Sequence, residues 1–509
     1  MRTGRDPWLW GLLGLVFATS FISMPALRYD GDVNAWEMEA ESLVHRGELA
    51  VRPSVAENIP PGAPYFVFNR ETGHWYSKYG IGNTLIYALP LAFERFVLGH
   101  TQLDPPTEIF GKPVGPYSIT RRLMLFNGFN LILTGLLALV LYRLACLYTA
   151  DGATALLYAL ACLYSTCLWN YTRAHSSQIY QVLLFSLSIL YLVRFAREST
   201  ASSPGDSRNL LWCVASVSAL CLVKPVFLPL IGLLGLALVL IGWEGRSNLL
   251  TVAVSNLKKN AWVYLKHGLI PVLAVCAILL WVNQVKFGSP LEMGYERETN
   301  LFGGHLTESI PAYLFAPRYS IFIHFPLLAV GLLGIPRFWK QHRYELLAGW
   351  FFFATMFFIY ASYTYWMAEA SYGPRYLLFA LPVLSLPALT VVDRLRDAKG
   401  ALRRGLPCIA LAALVLGGAY AQTFVNRLEF HTFFRLRQQF QMTERRDSEL
   451  WSYLRNTNTV LFNRDFIRYR DEGTLPFPME RLEEILEPVR FRNLEASVRA
   501  HLASNHYFF

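Results

Sequence analysis

The chain has 509 residues, 54% of them hydrophobic and only 16% charged, with a formal net charge of +10. A soluble globular protein carries about 25% charged residues; here the deficit falls in repeated apolar runs close to the ~20 residues a bilayer requires, which excludes a soluble fold. The surplus Lys and Arg gather in short loops between those runs, as the positive-inside rule describes, and no nucleic-acid motif accompanies them.

Only helices or closed barrels span a bilayer. The runs are continuous and rich in Leu, Ala and Val rather than alternating, so the expected fold class is an all-α polytopic membrane protein. The first run, Trp8 to Met24, follows Arg2 and Arg5, and with no small-x-small cleavage site after it the run reads as a retained anchor. Asp30 and Asp32 lie just past its outer end and open a long first external loop, 25–78. A carboxylate where bilayer meets water can accept a proton or hold a metal beside both a lipid headgroup and a water-borne partner. It gains little structurally at a span's end, so a functional role is the better reading for Asp32.

Within that loop, Trp36 to Leu49 has the pattern of an amphipathic helix closed by Gly47. Its polar residues are expected to face water, and Trp36, Met38 and Leu43 the membrane. The loop ends Gly73-His-Trp-Tyr-Ser-Lys-Tyr-Gly-Ile-Gly82, which puts Lys78 at headgroup depth between Tyr76 and Tyr79. Interfacial anchoring is the ordinary role of such a Lys/Tyr group. The next apolar stretch, 79–98, contains Pro90, Glu94 and Arg95, which suit the interface better than the bilayer centre.

Further along, the loops Arg194 to Arg208, Arg246 to Lys266, Arg337 to Arg343 and Arg394 to Arg404 are basic. Placing them in the cytoplasm predicts spans near 122–142, 152–170, 178–195, 209–223, 226–243, 267–286, 319–336, 344–364, 376–392 and 405–425. Parity then requires 79–98 to be an external juxtamembrane helix. The expectation is about eleven transmembrane helices, the N-terminus cytoplasmic and the C-terminus external; a twelfth span at 79–98 is the alternative. The mixed-charge stretch 426–509 reads as an extramembrane tail beyond a 1–425 membrane domain.

On this topology Arg173, Lys224, Arg318 and Arg375 are external cations, which the positive-inside rule disfavours. Each could pair with a nearby carboxylate, as Arg375 with Glu369; for the set, a phosphate or diphosphate ligand is the stronger explanation. His175, His305 and His324 lack metal-ligand spacing, and the seven cysteines form no CxxC pair, so no metal site is assigned.

These residues together resemble the GT-C superfamily of membrane glycosyltransferases, in particular the branch of protein O-mannosyltransferases and aminoarabinose transferases. The resemblance rests on Gly31-Asp32; on Ala40-Glu-Ser-Leu-Val-His-Arg-Gly-Glu-Leu49; on Tyr76-Ser-Lys-Tyr-Gly-Ile-Gly82 to Leu89-Pro90; on Tyr171-Thr-Arg173; and on Ser371-Tyr-Gly-Pro-Arg-Tyr-Leu377 to Leu381-Pro382. It covers about 8–425 and leaves the tail outside. The resemblance implies a polyprenyl-phosphate-linked sugar donor, used on the outer face of what the composition suggests is a bacterial plasma membrane, and a lipid, glycan or protein acceptor. It implies inversion by single displacement, with Asp32 as general base and Asp30 orienting or replacing it. Lys78, Arg173, Lys224, Arg375 and Tyr376 would hold the donor's lipid phosphate. Where many relatives carry a carboxylate this chain has Gln178, which weakens the case for a divalent metal. The alternative is a non-enzymatic transporter or flippase of lipid-linked saccharides. Ionisable groups crowded at one surface, with nearly charge-free mid-span regions and no internal repeat, favour surface chemistry.

Overall fold

The computed structural model describes residues 6–23, 31–57, 59, 65–99, 108–109, 112–113, 119–173, 176–200, 206–243, 248–295, 301–316, 319–368, 372–397 and 401–427. At 22, 31–34, 54–55, 108–109, 112–113, 119–124, 173, 200, 401–404, 406–407 and 423–427 the description is of the backbone alone. The tail beyond 427, Asp30, His175, Arg318 and Glu369 lie outside the described residues.

The helices in order are α1 (Pro7–Ile22), α2 (Gly31–Arg46), a single turn α3 (Pro53–Ala56), α4 (Ile81–Phe96), α5 (Ile119–Ala145), α6 (Gly152–Tyr164), α7 (Leu168–Arg173), α8 (Ser177–Thr200) and α9 (Ser207–Val223). There follow α10 (Pro229–Val239), α11 (Leu249–Tyr264), α12 (Ile270–Phe287), α13 (Leu306–Phe315), α14 (Ile321–His324), α15 (Pro326–Ala361), α16 (Leu381–Leu384), α17 (Ala388–Asp397) and α18 (Ala401–Arg427). An antiparallel hairpin, β1 (Phe66–Asn69) and β2 (His74–Ser77), pairs Phe66 with Ser77 and Asn69 with His74, and the two-residue strands β3 (Glu108–Ile109) and β4 (Lys112–Pro113) form another.

Among the described residues five helices are long and apolar enough to cross a membrane, and five shorter apolar helices accompany them. The protein is an integral membrane protein. Its apolar core runs from Leu12 through Leu389 and is shared by most of these helices.

Polar contacts sort the helix ends into two groups. One end holds four side-chain caps: Asp6 accepts from the Trp8 N–H, Asp151 from Thr154, Asp206 from Arg208 and Asn248 from Leu250, each filling an orphan donor of a helix N-terminus. The same end ties Tyr142 to Asp6 (2.7 Å), Arg396 to Asp151 (3.1 Å), Arg197 to Glu345 (3.3 Å) and Lys259 to the Ser199 carbonyl (2.5 Å). We call it the basic end. The opposite, loop end gathers α2, α4, the β1–β2 hairpin, α7 and the 372–376 segment. α8, 24 residues or about 36 Å long, connects the two: Tyr180 bonds Asn83 at its start, and Arg197 meets Glu345 near its finish.

The two spans expected at 319–336 and 344–364 are joined in α15, which breaks at His342 (φ −139°, ψ 43°). Its two legs fold back on each other there, because the His324 carbonyl just before the first leg bonds Cys167 while Tyr360 near the end of the second stacks on Tyr376, both at the loop end. The basic loop expected at 246–266 is instead largely helical. α11 continues through a π-helical turn, Leu265–Leu269, into α12, which takes up Pro271 in its first turn.

α4 is the helix expected at 79–98, and it is not among the helices long and apolar enough to cross. It lies on α2 at the loop end: Trp36 packs edge-on against Tyr87, and Arg95 donates to the Val44 carbonyl. Its buried side carries Asn83, Thr84, Tyr87, Leu91 and Glu94, while Leu85, Leu89, Phe93 and Phe96 form an exposed apolar stripe at helical spacing.

α2 corrects the amphipathic expectation. Gly47 does close it, at φ +74°, but Trp36, Met38, Glu39, Glu41 and Ser42 are all buried. The helix lies inside the loop-end layer, and the carboxylates are tolerated there because Glu39 pairs with Lys286 and Glu41 with Arg52 (3.7 Å).

The Thr154 hydroxyl, aided by the Arg396 charge, holds the Asp151 carboxyl below its ordinary range. A depressed pKa stabilises the fold above the unfolded value of about 3.9, and that contribution is lost as pH falls through the folded value. Asp151→Ala should therefore lower the unfolding temperature near neutral pH, by the equivalent of about 0.5–2 kcal/mol. Thermal scans of detergent-solubilised protein should show the gap between variant and wild type closing as the medium is acidified below pH ~4.

Candidate functional site

The loop-end layer is organised by one buried ion pair. Glu39 of α2 and Lys286 in the last turn of α12 are both 0% exposed, with Nζ 2.9 Å from one carboxylate oxygen and 3.2 Å from the other. The Thr84 hydroxyl of α4 donates to that second oxygen (2.5 Å), and Lys286 also donates to the Tyr79 carbonyl (2.8 Å). Burial pushes the Glu39 carboxyl above its ordinary range, while the Lys286 charge and the Thr84 hydroxyl pull it back.

Next to this pair, the start of α4 is pressed onto the end of α9. A Cβ on Gly80 would sit 2.3 Å from the Leu222 oxygen, and one on Gly82 2.6 Å from the Val223 nitrogen, so only glycine allows the approach. Asn83 fastens the contact. Its Nδ2 donates to the Val223 carbonyl (2.9 Å), and its Oδ1 accepts from the Tyr180 hydroxyl of α8 (2.8 Å). Lys78 lies two residues before Gly80 and Lys224 one residue after Val223, so this contact draws the two lysines' chain segments together.

Tyrosines complete the arrangement. Lys78 Nζ lies over the Tyr295 and Tyr79 rings (5.2 and 5.7 Å), and Lys224 Nζ over the Tyr376 ring (5.3 Å). Tyr376 stacks flat on Tyr360 (4.9 Å, 3°) and touches Tyr363 edge-on (5.9 Å). Arg375 acts on the far side. Its charge reaches Tyr171 of α7, whose hydroxyl donates to the Tyr372 carbonyl (2.6 Å) and whose phenol burial pushes up. Arg173 ends the same short helix; for it and for Asp32 in the first turn of α2, the description is of the backbone alone. Asp32 stands one helical turn before Trp36, whose ring meets Tyr79 at 5.5 Å.

Of the residues singled out from sequence, the structure thus sets Lys224 directly over Tyr376, fastens the Lys78 segment to the Lys224 segment through Gly80 and Asn83, and sets Arg375 beside the helix that Arg173 ends. Gln178 is buried, accepts from the Ser176 hydroxyl, and its Nε2 makes no hydrogen bond among the described residues. His324 packs in the core against Tyr372 (4.9 Å), and all seven cysteines are unpaired. Among the described residues no three His, Cys, Asp or Glu side chains converge as metal ligands.

Sequence reasoning missed Glu39, Thr84, Asn83, Tyr295 and Lys286. Lys286 did carry a signal: it is a charge in the last turn of an otherwise apolar helix. Glu39 carried none, being one of three alternating glutamates on a helix that reads as surface.

Because the Gly80 contact is backbone to backbone, Gly80→Ala should force the α4 start away from α9. We expect a loss of about 1–3 kcal/mol in stability, read as a lower unfolding temperature, while Gly14→Ala in α1, with open space around its Cβ, should be neutral or slightly stabilising.

Neither a protein-family model nor a curated protein matches the sequence. Among solved structures the chain is similar to ArnT from Cupriavidus metallidurans bound to undecaprenyl phosphate, at a TM-score of 0.50 and 14% identity over 99% of this chain and 78% of that one. Other similar structures are the archaeal oligosaccharyltransferase AglB from Archaeoglobus fulgidus in complex with an inhibitory peptide and a dolichol-phosphate (TM-score 0.47, 14% identity, 82% of this chain and 58% of that one), and an Archaeoglobus fulgidus oligosaccharyltransferase tethered to an acceptor peptide (TM-score 0.45, 15% identity, 83% and 57%). The chain thus shares its overall fold with the ArnT structure.

Proposed function

We propose that the protein is a glycosyltransferase that moves a sugar from a polyprenyl-phosphate donor to an acceptor hydroxyl or amine on the outer face of a bacterial plasma membrane. The observation that carries this reading is the fastening of the Lys78 segment onto the Lys224 segment through Gly80 and Asn83, with Lys78 over Tyr295 and Lys224 over Tyr376, beside the helix that bears Asp32. A cationic site lined by tyrosines suits a phosphate joined to a sugar: the cations take the charge and the rings take the flat apolar faces. The fold is consistent with this use, and the ArnT structure it resembles holds undecaprenyl phosphate.

In the proposed reaction the Asp32 carboxylate takes the proton of the acceptor as its oxygen or nitrogen attacks the anomeric carbon. The bond from that carbon to the phosphate oxygen breaks on the opposite side, giving inversion. Polyprenyl phosphate leaves, and Lys78, Lys224, Arg173 and Arg375 stabilise the charge it gains. Asp30 orients Asp32 or substitutes for it.

The same reading places the basic end in the cytoplasm and the loop end outside. The five long and five shorter apolar helices, with α15 counted as two legs at His342, supply eleven crossings and leave α4 at the surface. Residues 1–425 form the catalytic domain, and 426–509 an external extension.

Two results test the proposal. With radiolabelled polyprenyl-phosphate sugars and membrane acceptors, Asp32→Asn should lower transfer by about 10²–10⁴-fold at unchanged expression. Lys78→Ala and Lys224→Ala should instead raise the donor KM, about ten- to a hundredfold each. Equal transfer by wild type and Asp32→Asn would remove Asp32 from the chemistry.

A further inference from the structure

The pairing of Glu39 with Lys286 is hard to explain by stability alone. Each charge loses its water, and a well-packed apolar pair of similar volume holds such a site as well or better. What the ion pair adds is direction. The Lys286 ammonium donates both to the Glu39 carboxylate and to the Tyr79 carbonyl, the residue after Lys78. Glu39 in turn is held by Thr84 of α4. Three elements that leucine side chains could let slide are thereby referred to one nitrogen atom: α2, the Lys78–Tyr79 segment and the end of α12.

Lys78 and Lys224 have their own fastening, through the Gly80 contact and Asn83, and neither involves Glu39. α2 carries Asp32 two helical turns before Glu39. This buried ion pair ties α2 to a membrane helix, α12.

We infer that Glu39 and Lys286 are positioning residues: they set where the Asp32 helix stands relative to the Lys78–Lys224 phosphate site, without touching substrate. The inference rests on the glycosyltransferase reading and names the device that sets its geometry. Removing the pair should leave donor binding intact and misplace the base, and a misplacement of about 1 Å at a reacting centre can cost roughly a hundredfold in rate.

The experiment compares wild type with the double variant Glu39→Leu/Lys286→Met, which replaces both charges by apolar groups and avoids stranding one of them. Single variants Glu39→Gln and Lys286→Met are run alongside. The expected result for the double variant is an unfolding temperature close to wild type, a donor KM within about threefold, and kcat lower by about tenfold or more. Hydrogen exchange should show α2 amides 35–46 exchanging faster while those of α8 are unchanged. A double variant that folds and transfers like wild type would overturn the inference, as would a loss of activity accounted for by unfolded protein or confined to KM. Absence of transfer by wild type would sink the glycosyltransferase reading. The exchange arm still decides the pair in that case, because unchanged protection of 35–46 would show that it positions nothing.

Discussion

The site depends on keeping a carboxylate and an ammonium out of water at one place, where the first loop meets the membrane helices. Neither Glu39 nor Lys286 is exposed, so each must find compensation inside the protein. The compensation comes from different parts of the chain: α12 supplies the ammonium, α4 the Thr84 hydroxyl, and the turn between β2 and α4 the Tyr79 carbonyl. Such a cluster admits few arrangements, because moving any member leaves a buried polar group without its partner.

The bundle treats its two ends differently, and the difference follows from helix chemistry. At the basic end, capping carboxylates and amides close the helix N-termini, and arginines bridge neighbouring helices through Glu345, Asp151 and main-chain carbonyls. These are short-range closures that hold the bundle shut. At the loop end the contacts run between elements distant in sequence: Asn83 with Val223, Tyr171 with Tyr372, Glu39 with Lys286. A rigid scaffold at one end and a composite surface at the other is the usual division between stability and chemistry.

Much of this architecture was legible in the sequence because hydropathy and charge act locally. Apolar length marked the helices, basic loops marked one end, and Pro90, Glu94 and Arg95 marked α4 as unlike the others. Lys224 stood out as an external cation that the positive-inside rule disfavours, whereas Lys78 read as an interfacial anchor and joined Tyr376 as a phosphate-site candidate only through the family resemblance. The rest was illegible for a physical reason. The polar composition of α2, with Glu37, Glu39 and Glu41, reads as a surface helix, and only a partner 247 positions away makes burial tolerable for Glu39. The backbone approach of Gly80 to Leu222 is equally silent, since glycine in a Tyr-Gly-Ile-Gly run looks like a turn. The break at His342 falls inside the basic loop expected at Arg337 to Arg343; what was silent is how short it is, since the helical conformation resumes on either side of that one residue.

The outward stripe of Leu85, Leu89, Phe93 and Phe96 gives α4 a waterline. On an integral membrane protein such a stripe comes to rest where hydrocarbon begins, with the polar side turned away from it. α4 starts three residues after Lys78, so the helix acts as a float whose draught fixes the height of that lysine above the acyl chains. A lipid-borne phosphate is held at its own fixed height by the chain it hangs from. Two objects moored to the same surface meet by diffusing in a plane, and the search for a partner loses a dimension.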